Sequence, residues 1–274
     1  KATGVEKPAR NTVAYASDGL GNVRLMTSSS TNDEGSMRGV FTHYYRAVGS
    51  RDWQKLGTST VDDDANNIEP LAVDPIINAA YVLKKLDGRD ALYRISLDGS
   101  LKTDLVFASK EVDIAGVVTA GRGGRVIGAS YSTDRPQVEY FDPAYKAIAK
   151  QLAQALPKLP LIQFWSSSAD EQTLLVFASS DVDPGHFYVF DRAKKTLVEV
   201  ITQRPDLKGR ALAPRRPITY PAADGTMIPA YLTLPPGVTD AKGLPAIVMP
   251  HGGPSWRDDW GFDWLSQFYA QRGF

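Results

Sequence analysis

The sequence predicts a mainly β protein in two parts: a partial β-propeller with about four blades visible, then the opening elements of an α/β domain. Three observations carry this. Short runs of alternating apolar and polar residues, punctuated by turn residues, fill the first two hundred positions. The turn markers recur at a near-constant spacing. Near residue 210 the pattern changes to a hairpin, a continuous apolar run, a glycine loop and an amphipathic stretch.

The strands come first. Residues 93–97 (YRISL) alternate, Asp98-Gly99 turns the chain, and Leu105-Val106-Phe107 resumes the apolar run. Residues 138–141 (VEYF) run into Asp142-Pro143, and residues 186–190 (HFYVF) run into Asp191, with residues 197–200 (LVEV) following. Residues 44–48 (YYRAV) run into Gly49-Ser50, with Trp53 and Leu56 beyond. The markers Gly49, Asp98, Asp142 and Asp191 lie 49, 44 and 49 residues apart. Such a period, with several strands per unit, marks propeller blades. Residues 79–83 (AAYVL), 126–129 (VIGA) and 173–177 (TLLVF) supply inner strands. About four blades are fewer than a closed ring usually holds, so blades are expected to be missing at the N-terminal end. Residues 145–156 (YKAIAKQLAQAL) place Ile148, Leu152 and Leu156 at helical spacing and stop at Pro157. They predict a short helix inserted between strands of one blade.

After residue 210, residues 218–220 (ITY), the Asp224-Gly225 turn and residues 228–234 form a second hairpin pattern, ended by Pro235-Pro236-Gly237. Residues 244–249 (LPAIVM) are continuous rather than alternating, as in a strand buried on both faces of a parallel sheet. Residues 263–272 carry Trp264, Leu265, Phe268 and Tyr269 on one helical face, and Gly273 sits at the C-terminal cap.

Composition removes several function classes. The 274 residues carry 31 basic and 31 acidic side chains, a formal net charge of zero, which gives no electrostatic ground for a nucleic-acid partner. There is no cysteine, so disulfides, thiolate metal sites and a cysteine nucleophile are excluded. No apolar run is long enough to predict a membrane span. The opening KATGVEKPAR has neither an initiator methionine nor a signal pattern, which suggests an internal or processed start and leaves a cytoplasmic or periplasmic location open. Residues 62–67 (DDDANN) imitate a calcium loop but lack glycine at the sixth place and have Val73 at the twelfth, so they read as a solvated loop. Gly19-Leu20-Gly21 and the glycines of residues 121–124 (GRGG) read as turns. Glu139, Glu171, Asp181 and Asp183 offer no sequence ground for a site. His43 and His186 lie in strands or turns and read as structural histidines. No metal site and no organic cofactor is expected.

The chemistry concentrates in residues 250–256 (PHGGPSW), just past the predicted buried strand, where sites form in open α/β sheets. Glycines allow unusual dihedrals and let backbone N–H groups approach a ligand closely. Such groups can stabilise an oxyanion, typically by ~3 kcal/mol per donor, and a histidine-glycine-glycine loop is an oxyanion element of lipase- and esterase-like hydrolases. A tight turn with purely steric glycines is the plainer alternative.

From Gln137 onward the chain resembles the prolyl oligopeptidase family of serine peptidases, in its bacterial dipeptidyl aminopeptidase and acylaminoacyl peptidase branch. The matching pieces are EYFDP, ASSDVDPGHFYVFDR, ITYPAADGTMIPAYLTLPPG and LPAIVMPHGGPSWRDDWGFDWLSQFYAQRGF. The resemblance implies a propeller over residues 1–213, incomplete at its N-terminus. Residues 214–274 would then be the N-terminal part of an α/β-hydrolase domain, cut before the nucleophile. It implies a peptide or acyl-peptide substrate, a propeller that gates entry, and acyl-enzyme chemistry by serine, aspartate and histidine. No G-x-S-x-G occurs, and His251 precedes the place of the family's catalytic histidine. The triad is therefore expected beyond Phe274, and this chain alone is expected to be inactive. The remainder of the hydrolase domain, in the same parent chain or a companion chain, is an expected partner. Gly253 is the expected oxyanion-hole donor, Gly252 shapes the loop, and His251 braces it. Arg257 and Asp258 match the family's RD and are expected in a loop ion pair. Two other functions compete: a non-enzymatic propeller binding module with a vestigial hydrolase remnant, and an esterase.

Overall fold

The computed structural model describes residues 6–7, 9, 11–31, 36–61, 66–240, 242–253 and 256–274. Four consecutive antiparallel sheets account for the chain to residue 202. The first contains β1 (Thr12–Ser17), β2 (Val23–Thr31), β3 (Met37–Tyr45) and β4 (Gln54–Thr60); the second contains β5 (Glu69–Asp74), β6 (Ala79–Leu86), β7 (Arg89–Ser96) and β8 (Thr103–Phe107). The third has three strands, β9 (Ile114–Ala120), β10 (Arg125–Ser132) and β11 (Pro136–Tyr140). After α1 (Pro143–Ala155) the fourth contains β12 (Leu161–Ser167), β13 (Thr173–Ser179), β14 (His186–Asp191) and β15 (Thr196–Thr202). Each sheet is a meander with neighbours in sequence order, the blade of a β-propeller. A single 3₁₀ turn (Pro205–Leu207), a hairpin of β16 (Arg215–Pro221) and β17 (Met227–Thr233) and the helix α2 (Trp264–Ala270) complete the described elements.

The sequence period maps onto one structural position. Gly49, Asp98, Asp142 and Asp191 each stand at or just past the end of the third strand of their sheet. The physical cause is visible at Asp98, whose Oδ1 accepts from the Ser100 N–H at 2.9 Å and the Ser100 hydroxyl at 2.6 Å. Those bonds, the hydroxyl's first, hold its carboxyl down at about 2. Asp191 does the same for the Lys194 N–H. Asp142 instead caps a helix: its Oδ1 accepts from Ala144 and Tyr145 at the start of α1. The helix therefore follows the last strand of the third sheet and precedes the first strand of the fourth. That corrects the expected insertion between strands of one blade.

The chain forms two compact units, Lys1–Thr133 with Gln137–Lys146 and Ser166–Gln172, and Asp134–Pro136 with Ala147–Trp165 and Thr173–Phe274. In the first, apolar sheet faces pack on one another. Leu25 and Tyr45 meet Val73, Val82, Ile95 and Leu97, while Leu83 and Leu92 meet Ile114, Val126 and Ala129. Face-to-face burial of this kind removes alternate side chains from water on both sheets. Arg125 ties the polar edge together: its guanidinium donates to both Glu171 oxygens at 2.8 and 2.7 Å and lies 2.8 Å from Asp142 Oδ2, and the Tyr145 hydroxyl donates to Glu171. His43 is buried, with Nε2 2.7 Å from Ser59 Oγ and Nδ1 2.9 Å from Thr27 Oγ1. Because the Ser59 hydroxyl is engaged as donor to Ile68 O, the network assigns the neutral Nε2–H tautomer. Burial holds its imidazole below the ordinary histidine value.

In the second unit Trp165, Phe177 and Phe187 form an aromatic cluster across β12, β13 and β14, with the Trp165 contacts edge-on. Gly185, at φ 113°, leaves room for the Phe177 ring, which a Cβ would overlap. The Asp224-Gly225 turn joins β16 to β17 as expected, with Gly225 at φ 85° and the Thr226 N–H on Asp224 Oδ1.

Two expectations at the C-terminal end are corrected. Residues 244–249 form no strand and belong to no sheet; Ile247, Val248 and Met249 are 40%, 84% and 38% exposed. A run of this kind becomes a buried parallel strand only when flanking strands take its N–H and C=O groups, and Pro245 removes one donor besides. The helix is present, capped by Asp263 Oδ1 on the N–H groups of Leu265 and Ser266, and Gly273 at φ 91° follows its end. Its buried residues are Ser266, Gln267 and Ala270, whereas Trp264 and Phe268 of the expected apolar face are exposed. Hydrogen bonding chose the face. Gln267 donates to Ala213 O at 2.7 Å and accepts from Ala213 N at 2.8 Å, which satisfies an amide that would otherwise be costly to bury.

Candidate functional site

The glycine loop lies in the second unit, between the exposed run 244–249 and Trp260. His251, Gly252 and Gly253 are all exposed. His251 Nδ1 is 2.9 Å from Gly252 O, so the imidazole donates to its own loop. Gly253 sits at φ 138°, in the region that favours glycine, and a Cβ built on Gly252 would meet open space. Pro254, along with Ser255, lies outside the described residues, as do Asp62, Asp63, Asp64 and Ala65 of the loop that imitates a calcium site. Arg257 Nε is 3.4 Å from Asp258 O and 3.8 Å from Asp259 Oδ1. An exposed pair at that distance contributes little, about 0–1 kcal/mol. The loop thus offers main-chain groups on an accessible surface, free of side chains at two successive positions.

Beyond the loop, residues 259–260 are held by a set of residues that no sequence pattern singled out. Trp260 is buried, and its Nε1–H donates to Arg215 O at 2.7 Å. Arg215 NH1 donates to Asp259 O at 2.8 Å, its guanidinium lies 4.7 Å from the Tyr231 ring centre, and its N–H donates to Asp181 Oδ2 at 2.7 Å. Arg135 lies over the indole of Trp260. The signal in the sequence is slight: an arginine at the head of a hairpin strand and a tryptophan among acidic residues.

Glu139, Glu171, Asp181, Asp183 and the two histidines outside the loop are engaged in the fold. Glu139 pairs with Lys146, Glu171 with Arg125, Asp181 with the Arg215 N–H, and Asp183 with His186. His186 sits between Asp183 and Glu199, 3.2 and 3.1 Å away. A cleft of about 640 Å³ in the first unit is lined by Asp18, Arg24, Arg46, Val48 and Arg51 among others, and none of the residues predicted for the site lines it. Among the described residues no group of three or more histidine, aspartate or glutamate side chains could hold a metal ion. No helix among them is long and apolar enough to cross a membrane.

Comparison with known proteins adds to this geometry. No family model matches the chain. It is 29% identical over 195 residues to dipeptidyl aminopeptidase BIII of Pseudoxanthomonas mexicana, covering 68% of this chain and 28% of that protein. It is 24% identical over 234 residues to dipeptidyl peptidase family member 6 of Caenorhabditis elegans, covering 77% and 31%. Among solved structures, a puromycin hydrolase matches with a TM-score of 0.60 at 15% identity, over 97% of this chain and 40% of that one. The puromycin-hydrolyzing peptidase of Mycobacterium tuberculosis matches at 0.57 and 16%, over 95% and 40%. At such identities these structures show a shared fold. The chain spans less than a third of the length of either curated relative.

Proposed function

We propose that this chain, which resembles the prolyl oligopeptidase family and is 29% identical to a dipeptidyl aminopeptidase, is part of a serine peptidase hydrolysing peptide or acyl-amino bonds. Residues 1–213 serve as propeller and restrict which substrates reach the site, and residues 214–274 open an α/β-hydrolase domain. The observation that carries the reading is the position of His251-Gly252-Gly253. An unpaired apolar run precedes it and a capped helix follows it, in a chain related to a dipeptidyl aminopeptidase.

In that reaction a serine oxygen, supplied from outside these residues, bonds to the acyl carbon while its proton passes to a histidine. The carbonyl oxygen becomes an oxyanion, and the Gly253 N–H donates to it. The amine leaves with the histidine's proton, and water then cleaves the acyl-enzyme by the same steps. Gly252 contributes by leaving the approach unobstructed. The steps call on no metal or organic cofactor.

The test uses the complete protein. Gly253→Ala cannot keep φ 138° without strain, so it turns the amide away. The expected result is a fall in kcat of roughly 10²–10³ with KM little changed; an unaltered kcat would contradict the assignment. This chain by itself should take up no stoichiometric active-site phosphonate label.

A further inference from the structure

Between Leu234 and Trp260 no described residue is buried. Trp260 is where the chain returns to packed structure, seven residues past Gly253. One side chain and its own carbonyl hold that return point: Arg215 donates through NH1 to Asp259 O at 2.8 Å and accepts the Trp260 indole N–H on its main-chain oxygen at 2.7 Å. The arginine is itself clamped. Its N–H is spent on Asp181 Oδ2, its guanidinium stacks on Tyr231 of the paired strand, and NH2 lies 3.8 Å from Asp263 Oδ2, the carboxylate that caps α2. Asp181 O also accepts from Gln267 at 3.2 Å, so the same turn holds β16 and α2.

The Arg215 side chain is 11% exposed, and its Nε, shielded from water, has no hydrogen-bond partner among the described residues, a costly arrangement for a cation. A tyrosine ring, a carbonyl and a cap converging on one cation, with a tryptophan on the same residue's main-chain oxygen, are more than a surface hairpin needs for its own sake. A loop whose amides must meet an oxyanion within a few tenths of an ångström needs a fixed end. We propose that Arg215 is a positioning residue: it fixes residues 259–260, and through them the C-terminal side of the glycine loop, so that the Gly253 amide is held where the oxyanion forms. The inference rests on the peptidase reading above, but its structural half can fail independently. Lysine would not substitute fully, because an ammonium neither stacks on Tyr231 nor spans Asp259 and Asp263 with a planar fork.

Two measurements test it. In this chain, hydrogen exchange over residues 259–266 should accelerate at least about tenfold in Arg215→Ala and less in Trp260→Phe, which keeps an aromatic ring and loses the indole N–H bond. It should be unchanged in Arg216→Ala, the exposed neighbour. Equal exchange in Arg215→Ala and the parent sequence overturns the proposal whatever the activity. In the complete protein, kcat per phosphonate-titrated site should fall about 10- to 100-fold in Arg215→Ala with KM nearly constant, and Arg215→Lys should recover part of it. Counting titrated sites removes any unfolded fraction, so an unchanged kcat per site also overturns it. Accelerated exchange in the variant, together with no peptide turnover by the parent protein, would instead overturn the peptidase reading and leave Arg215 as the anchor of this segment.

Discussion

Residues 79–83 (AAYVL) and 244–249 (LPAIVM) are similarly apolar, yet their fates differ. The first run opens β6, paired with β5 on one edge and β7 on the other, and all five side chains are buried. The second forms no ladder and leaves Val248 almost wholly in water. Apolar character alone does not make a strand. A strand needs neighbours that satisfy its backbone and faces that cover its side chains, and β6 has both close by in sequence.

Substitutions in the two runs should differ accordingly. Leu92→Ala, opposite Leu83 in β7, should lose about 3–4 kcal/mol in urea unfolding, because the cavity is sealed between sheets. Val248→Ala should stay within about 0.5 kcal/mol. Similar losses at both positions would show that the second run is packed after all.

Polar edges should show a smaller effect. Arg125→Ala would strand Glu171 and Asp142, whose side chains are 16% and 20% exposed, and should cost about 2–3 kcal/mol. Burial works against the Asp142 charge, but the Arg125 bond and the Tyr145 and Ala144 N–H groups outweigh it and hold its carboxyl below the usual range.

His43 probes the packed sheets through pH. Folding holds it neutral, whereas in the unfolded chain it titrates near ~6.5. The unfolded state therefore binds the extra proton. The stability that His43 contributes is complete above ~6.5 and is lost as pH falls toward its lowered folded value. Urea midpoints at pH 7.5 and 5.5 should differ more for the parent chain than for His43→Gln, with the parent less stable in acid; a parent that gains stability in acid relative to the variant would contradict this.

Local chemistry explains what could be read from the sequence. The Asp-Gly turns and the aspartate blade markers depend on contacts within a few residues and lie where their pattern pointed, and α1 covers the residues expected to be helical, although it joins two sheets instead of interrupting one. The buried face of α2 did not. It is set by Gln267 reaching Ala213, 54 residues away, and the Arg215–Trp260 bond spans 45. Periodicity cannot register a polar side chain whose partner is a distant carbonyl. The glycine loop was legible as a motif, whereas the run before it, expected as a buried strand although the sequence offered too few strands to cover it, forms none, because pairing belongs to whatever lies beside it.

The decisive quantity is hydrogen exchange at Ile247, Val248 and Met249, since residues 214–274 can open a hydrolase domain only if this run becomes a strand once partners from outside these residues lie beside it. Exchange should be nearly unprotected in the 274-residue chain and slower by at least about 10³ in the complete protein. Fast exchange at all three amides in both would contradict the hydrolase reading.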